Sequence, residues 1–167
     1  MKKIKMYEFV KGFESLDGLE GFEFVLATTL NYETFKVAIE ALEKAKNSNK
    51  DYKGYLEKLD GVIKDHAQKD DLGGYITGKD EYGRENYQIE PEQRSLLKKA
   101  MEELDKEYVK TIEDQKKLDK KFSDELDTEI TAKIEMFNKE DLPKNIKTKQ
   151  LSLVFDMVNL NSVVEKL

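Results

Sequence analysis

Residues 91–126 form the longest uninterrupted helical pattern in the chain and constrain what it can fold into. The segment contains no glycine, and its only proline is Pro91 at its start. Apolar side chains recur every three or four residues, with one polar member, which places them in a single stripe along a helix about 54 Å long. The rest of the chain is expected to cover this stripe. Its members are Leu97, Met101, Leu104, Tyr108, Ile112, Gln115, Leu118, Phe122 and Leu126.

The composition is typical of one domain with a heavily charged surface. The chain has 167 residues, of which 38% are charged and 38% hydrophobic, and it contains no cysteine. This length can bury a core without metal ions or disulfides, so we expect a single domain over residues 1–167. The start, MKKIKMYEFV, lacks the apolar region of a signal peptide, and no apolar run could span a membrane. A cytoplasmic protein is therefore expected.

The negative charge is concentrated in one short segment. The formal net charge is −6, and residues 65–92 contain 8 acidic and 3 basic side chains, which accounts for five of these six charges. No segment has the excess of basic side chains that contacts with phosphates require. Direct binding to nucleic acid is therefore not expected.

Residues 1–68 predict three helices. The first covers residues 2–16, the second runs from about Gly21 to Lys46, and the third covers residues 51–68 after a turn-forming cluster. Thr28, Thr29 and Asn31 are weak helix formers, so the middle of the second helix is expected to bend or break. The apolar pattern of this helix uses Phe22, Leu26, Leu30, Phe35, Ile39 and Leu42.

Residues 71–90 predict a β-hairpin that precedes the long helix. Two short β-rich pieces, 75–77 and 86–89, flank a polar centre that contains Gly78, Asp80 and Gly83. Pro91 and the carboxylates beside it favour the first turn of the helix that follows.

Residues 129–167 predict a strand followed by a C-terminal helix. The sequence EITAKIEMF alternates between apolar and polar residues, which favours a strand, with a continued helix as the alternative. Pro143 ends this element, and Thr148 is expected to cap the last helix. That helix is built on Leu151, Val154, Phe155, Val158 and Val163. The predicted fold is α+β and mostly α, with long antiparallel helices, a small hairpin or sheet at one end and a C-terminal helix.

The residue types that usually carry chemistry are sparse. His66 is the only histidine and has no cysteine or serine motif to act with, so we interpret it as a helix-surface or helix-end residue. No cofactor or metal motif is present, and no cofactor is expected. Four carboxylates lie close together but among lysines, which favours a solvated, salt-bridged face over a metal-dependent nuclease, the lowest-ranked function. They are Asp124, Glu125, Asp127 and Glu129.

The hairpin is the candidate surface for binding a partner protein. It combines tyrosines, which provide rigid contact area, with carboxylates that can occupy a basic groove. The alternative is an ordinary polar hairpin whose tyrosines pack on helix ends. The stripe of the long helix could also form a coiled-coil seam in a homodimer, although its irregular steps favour the core. The candidate partner-binding residues are Asp70, Asp71, Tyr75, Asp80, Glu81, Tyr82, Glu85 and Tyr87.

The chain resembles a family of small phage and prophage proteins of low-GC Gram-positive bacteria. The resemblance rests on GFEFVLATTL, AQKDDLGGY, YQIE, DELDTEITAKIEMFNKEDLP and NIKTKQLSLVFDMV, in this order. It implies a phage-derived accessory protein and carries over no catalytic residues. One departure is ATTLNY, where the relatives have a more regular basic helix.

These observations favour a non-enzymatic phage or mobile-element protein that inhibits a host protein. The expected partner is a nucleic-acid-handling effector with a basic groove, such as a CRISPR–Cas nuclease, which would make the protein an anti-CRISPR. The alternative is a structural or assembly accessory of the phage particle that acts through the helical stripe.

Overall fold

The computed structural model describes residues 1–79 and 83–160, and it is an α+β fold that is mostly α, as predicted. Within these ranges, no helix is both long enough and apolar enough to cross a membrane. The helices are α1 Lys3–Gly12, α2 Phe22–Lys46, α3 Lys50–Asp65, α4 Pro91–Glu107, α5 Val109–Leu126 and α6 Thr148–Val154. The strands are β1 Thr77–Lys79, β2 Glu85–Tyr87, β3 Phe137–Asn138 and β4 Val158–Asn159.

The chain packs as two compact units, and the division falls within α5. One unit comprises Met1–Lys46 and the chain from Asp119 onward, and the other comprises Asn47–Leu118. The expectation of a single domain stays a prediction.

The first unit has an aromatic core built where α1 packs against α2 and α6. Phe9 of α1 meets Phe35 of α2 edge to face at 6.0 Å, and Phe24 meets Phe137 at 5.3 Å. Such aromatic pairs add to the stabilisation that burial alone supplies. The fully buried side chains of this core are Phe9, Phe24, Phe35, Ile39, Asn31, Val154 and Met157.

Helix α2 runs without the expected break, and two of its weak helix formers, Thr28 and Asn31, face inward, whereas Thr29 is exposed. The Thr28 hydroxyl donates to the Phe24 carbonyl at 2.8 Å, which satisfies a buried polar group inside the helix. The Asn31 amide hydrogen-bonds the backbone of Glu135 in both directions, at 2.8 and 2.9 Å. Because these polar residues take inward positions, three members of the apolar pattern lie on the surface instead, namely Phe22, Leu26 and Leu30.

The strand predicted over 129–137 is wrong, since residues 130–136 form neither strand nor helix. Phe137–Asn138 pairs in parallel with Val158–Asn159, Glu129 forms an isolated antiparallel bridge with Lys2, and the hairpin strands form a separate sheet. The backbone before β3 finds other partners: Lys3 N–H donates to the Thr128 carbonyl at 2.9 Å, and the Glu135 backbone pairs with Asn31. Side-chain and terminal contacts therefore replace a strand ladder here.

The C-terminal helix forms but is shorter than predicted, and the prediction that Thr148 caps it is wrong. Thr148 is its first residue and Lys147 is the cap residue, whose N–H donates to the Gln150 side chain at 2.8 Å. The helix ends at Val154 and a 3-10 turn leads into β4. Val163 lies outside the described residues.

The second unit is organised by α3 packing against α4. The side chain of Asn49 caps α3 by accepting from the Tyr52 N–H at 3.1 Å, as residues of this type do at helix starts. Tyr55 stacks on Tyr52 with 5.5 Å between ring centroids, and it lies 5.6 Å from Tyr108.

The long helix is interrupted, which corrects the prediction of one continuous rod over 91–126. Helix α4 ends at Glu107, and α5 begins at Val109. Tyr108, between them, has φ −105° and ψ 17°, although its N–H still donates to the Leu104 carbonyl at 3.0 Å. The predicted stripe is confirmed, because all nine of its members are buried or half-buried. Its use as a homodimer seam stays a prediction.

Candidate functional site

The hairpin is confirmed, and its backbone is tied to the segment that follows α3. Strands β1 and β2 are antiparallel, with Thr77 opposite Tyr87. Beyond the strands, three backbone hydrogen bonds of 2.9 Å close a ring: Gln68 donates to Gln88, Gln88 to Ile76, and Ile76 to Gln68. Each of these residues uses both its backbone N–H and its backbone carbonyl, so hydrogen bonds fix the backbone at the base of the hairpin.

Asp70 belongs to the predicted site, but its carboxylate holds the loop that leads into the hairpin. Its Oδ1 accepts from the backbone N–H groups of Leu72 at 2.9 Å and Gly74 at 2.8 Å. Gly73 has φ +80°, a conformation that glycine adopts without strain. The turn leaves Leu72 almost entirely exposed, at 96%.

Tyr75 and Tyr87, two of the candidate partner-binding residues, lie in contact with each other. Their rings meet edge to face with 5.4 Å between centroids, and Tyr75 is 41% exposed. Each ring also carries a lysine: Lys69 Nζ lies 5.1 Å from the Tyr75 centroid, and Lys64 Nζ lies 5.8 Å from the Tyr87 centroid. The Lys64 ammonium group forms hydrogen bonds with Asp60 and with Tyr87. Both bonds raise its pKa, and the bond with Asp60 has the larger effect.

The carboxylates of the site are only partly described. Asp71 and Glu85 are exposed, and Glu85 lies opposite Lys79 in the hairpin ladder. Asp80, Glu81 and Tyr82 lie outside the described residues. Where the structure describes this site, Lys64 and Lys69 lie over the two tyrosine rings and Lys79 lies opposite Glu85. These lysines partly offset the negative charge that the sequence indicates.

A groove of about 780 Å³ lies beside the hairpin, and no pattern in the sequence predicts it. Its apolar lining comes from Tyr87 and Ile89 on the hairpin side and from Leu97 and Met101 of α4. The hint in the sequence is that Leu97 and Met101 begin the apolar stripe, and in the structure both are only half-buried. The polar lining is Gln68, Gln88, Arg94, Lys98, Glu102 and Asp105.

Asp105 is fixed at the groove by the hydroxyl of Tyr55, which donates to its Oδ1 at 2.7 Å. Burial of the ring and this hydrogen bond raise the pKa of Tyr55 to about 12. The hydrogen bond requires the protonated phenol, which gives the second unit a pH-sensitive contact.

Alkaline pH is expected to destabilise the second unit through Tyr55. The unfolded chain loses the phenolic proton near pH 10 and the folded chain near 12, so the free energy of unfolding falls as pH rises between these values. Ultraviolet absorbance titration of the native protein should show a phenolate midpoint near 12 that disappears in Tyr55→Phe. A variant that instead loses amplitude near pH 10 would contradict this assignment.

The other candidate groups have structural partners. His66 follows α3 as its C-terminal cap residue, and its Nδ1 lies 2.9 Å from the Val62 carbonyl, which fits a helix-end histidine. The carboxylate cluster is ion-paired as expected, but mostly with the chain start. Lys120 pairs with Asp124 at 2.7 Å, while the others pair with Lys3, Lys2 and the Met1 amino group.

Comparison of the chain with protein-family models, curated proteins and solved structures finds no match.

Proposed function

We propose that this protein is a non-enzymatic accessory of a phage or mobile element that binds and inhibits a host protein through its hairpin. The proposed partner is a nucleic-acid-handling effector of the CRISPR–Cas type, with a basic groove that normally receives phosphates. The observation that carries the proposal is the Tyr75–Tyr87 pair, 5.4 Å apart, displayed on a hairpin beside exposed carboxylates.

The geometry favours binding because the base of the hairpin, beside Tyr75 and Tyr87, is already held in place. Backbone hydrogen bonds fix this base, so little conformational entropy is lost when these two tyrosines meet a partner. Tyrosine supplies a large contact area with few rotatable bonds, and carboxylates complement a basic surface. The groove beside Tyr87 can accept an apolar side chain of the partner.

Reversal of the hairpin charges is the test. The variant Asp80→Lys/Glu81→Lys/Glu85→Lys should lose inhibition, because each lysine would face the basic groove with like charge. Inhibition is measured as transformation by a targeted plasmid in a bacterium with an active CRISPR–Cas system, with and without the protein. Binding of the wild type to the purified effector should weaken as salt rises.

A variant with the same change in net charge elsewhere provides the control. Glu57, Glu103 and Glu113 are exposed residues of helices α3, α4 and α5, and their joint change to lysine should leave inhibition intact. Equal inhibition by the hairpin variant and the wild type would rule out the hairpin mechanism.

The alternative function is a structural or assembly accessory of the phage particle. One observation favours it, an exposed apolar face on α2, which also suits contacts with other proteins. Stoichiometric recovery of the protein in purified virions would support this function over the inhibitor.

A further inference from the structure

Helix α2 has two apolar faces, and only one of them lies in the core. Buried residues follow one side of the helix, from Phe24 through Asn31 and Phe35 to Ile39. At about 100° per residue, a second set of apolar side chains lies on the opposite side. This outer face consists of Phe22, Val25, Leu26, Leu30 and Val37, which are 78%, 44%, 43%, 45% and 69% exposed.

The outer face is long enough to receive a second helix. Phe22 and Val37 are 15 residues apart, which corresponds to about 22 Å along the helix axis. Single exposed apolar residues are ordinary, but five of them along one helix face are typical of a protein-binding surface. Each of these side chains would gain stabilisation from burial against a partner.

Acidic residues lie along and beside the outer face. Glu33 lies within the row, between Leu30 and Val37, and Glu23 lies beside its start. Among the described residues, neither carboxylate forms an ion pair. Lys36 lies on the same side of the helix, between the angular positions of Val25 and Phe22, with its Nζ 5.5 Å from the centroid of Tyr32.

The row begins at a cleft of about 560 Å³ that is also acidic. Phe22 lines it together with the carboxylates of Glu20, Glu23, Glu140 and Asp141, and Lys144 is the single cation in the lining. Asp141 is engaged, because its Oδ2 accepts from the Asn138 N–H at 3.1 Å. The cleft therefore favours a cationic group next to an apolar one.

A second copy of this chain does not fit the charges of the face. Antiparallel pairing of two α2 helices about the middle of the row would place Glu33 against Leu26, and parallel pairing would place it against Glu33. The antiparallel arrangement would place Lys36 against Glu23, but in both arrangements Glu33 faces no cation of the other copy, and a carboxylate buried in this way costs several kcal/mol. A partner with lysine or arginine beside its apolar face satisfies the same carboxylates.

We propose that the outer face of α2 docks an amphipathic helix of another protein, one that carries lysine or arginine beside its apolar stripe. Leucine-type side chains of that helix cover Phe22, Leu26 and Leu30. Its basic residues pair with Glu33 and Glu23, and its end enters the acidic cleft. This site is separate from the hairpin and does not depend on the inhibitory function proposed for it.

The test uses two synthetic helical peptides of about 20 residues with a fluorescent label. Both carry leucine at steps of three and four, and one is flanked by lysine and the other by glutamate. Fluorescence anisotropy with the full chain should show binding of the lysine peptide at least tenfold tighter than that of the glutamate peptide. Leu26→Ser/Leu30→Ser should weaken the lysine peptide about tenfold or more.

Two further variants distinguish binding at the outer face from nonspecific effects of substitution. Leu56→Ser/Leu96→Ser changes two leucines of α3 and α4 that are similarly exposed, at 44% and 52%, and should leave binding unchanged. Glu33→Lys should reduce the preference for the lysine peptide or reverse it, because it exchanges the charge at the centre of the face. Far-ultraviolet circular dichroism checks that each variant is folded.

Three results would overturn the proposal. The first is binding of the lysine peptide that is equal for the wild type and Leu26→Ser/Leu30→Ser. The second is the absence of saturable binding by the wild type. The third is a wild-type dimer in analytical ultracentrifugation that Leu26→Ser/Leu30→Ser dissociates, which would assign the face to a second copy of the chain.

Discussion

Replacement of Phe35 by alanine is expected to lower the free energy of unfolding by about 3–5 kcal/mol. The side chain is fully buried in the first unit, and its ring meets Phe9 edge to face at 6.0 Å. Truncation removes the burial of the ring and leaves a cavity that the aromatic neighbours fill only in part. Urea denaturation followed by circular dichroism should show the loss as a lower urea concentration at the midpoint of unfolding.

Phe22→Ala is the matched control, because it removes the same side chain from the same helix at a position that is 78% exposed. Its effect on stability should stay within about 0.5 kcal/mol. The pair thus tests which face of α2 lies in the core. Equal destabilisation by the two variants, or a larger effect at Phe22, would contradict the orientation of the helix.

The orientation of α2 shows where a sequence pattern can mislead. Phe22, Leu26 and Leu30 lie at about 0°, 40° and 80° around a helix, whereas Phe35 and Ile39 lie at about 220° and 260°. The apolar pattern that predicts α2 therefore combines two faces. The helix itself was correctly predicted, but residue spacing alone does not decide which face is buried, because inward polar groups with good partners can take core positions.

The segment 129–137 illustrates a different limit. Its alternation satisfies the pattern of a strand, and Ile130 and Ile134 do pack against the core. The backbone hydrogen bonds of Glu135, however, go to Asn31, which is 104 residues distant in sequence, and the Ile130 N–H donates to the Met1 carbonyl. A local pattern contains no information about such a partner, so the alternation predicts a strand that the segment does not form.

The long helix and the hairpin were predicted more successfully, because their signals are local. The stripe from Leu97 to Leu126 identifies the inward positions on both sides of the interruption at Tyr108. The hairpin was predicted from its β-rich pieces and glycines. The groove beside the hairpin has no such local signal. Its shape depends on the tertiary distances of Tyr87 and Ile89 from Met101.

Asn31→Leu is expected to cost about 2–4 kcal/mol, although it keeps the number and branching of the side-chain heavy atoms and adds apolar surface in the core. The amide of Asn31 is 1% exposed and donates to the Glu135 carbonyl at 2.8 Å while accepting from its N–H at 2.9 Å. Leucine leaves both backbone groups without a partner, and a buried polar group that loses its hydrogen bond costs about 1–3 kcal/mol. Urea denaturation measures the loss, and hydrogen exchange at the Glu135 amide should accelerate.

The site of faster exchange distinguishes a lost hydrogen bond from a general weakening of the core. Asn145→Leu is the control, because Asn145 is exposed and its replacement should change stability by no more than about 0.5 kcal/mol. If Asn31→Leu instead stabilises the protein, hydrophobic burial at this position outweighs the two hydrogen bonds. The hydrogen bonds of the Asn31 amide would then not explain why residues 130–136 do not form a strand.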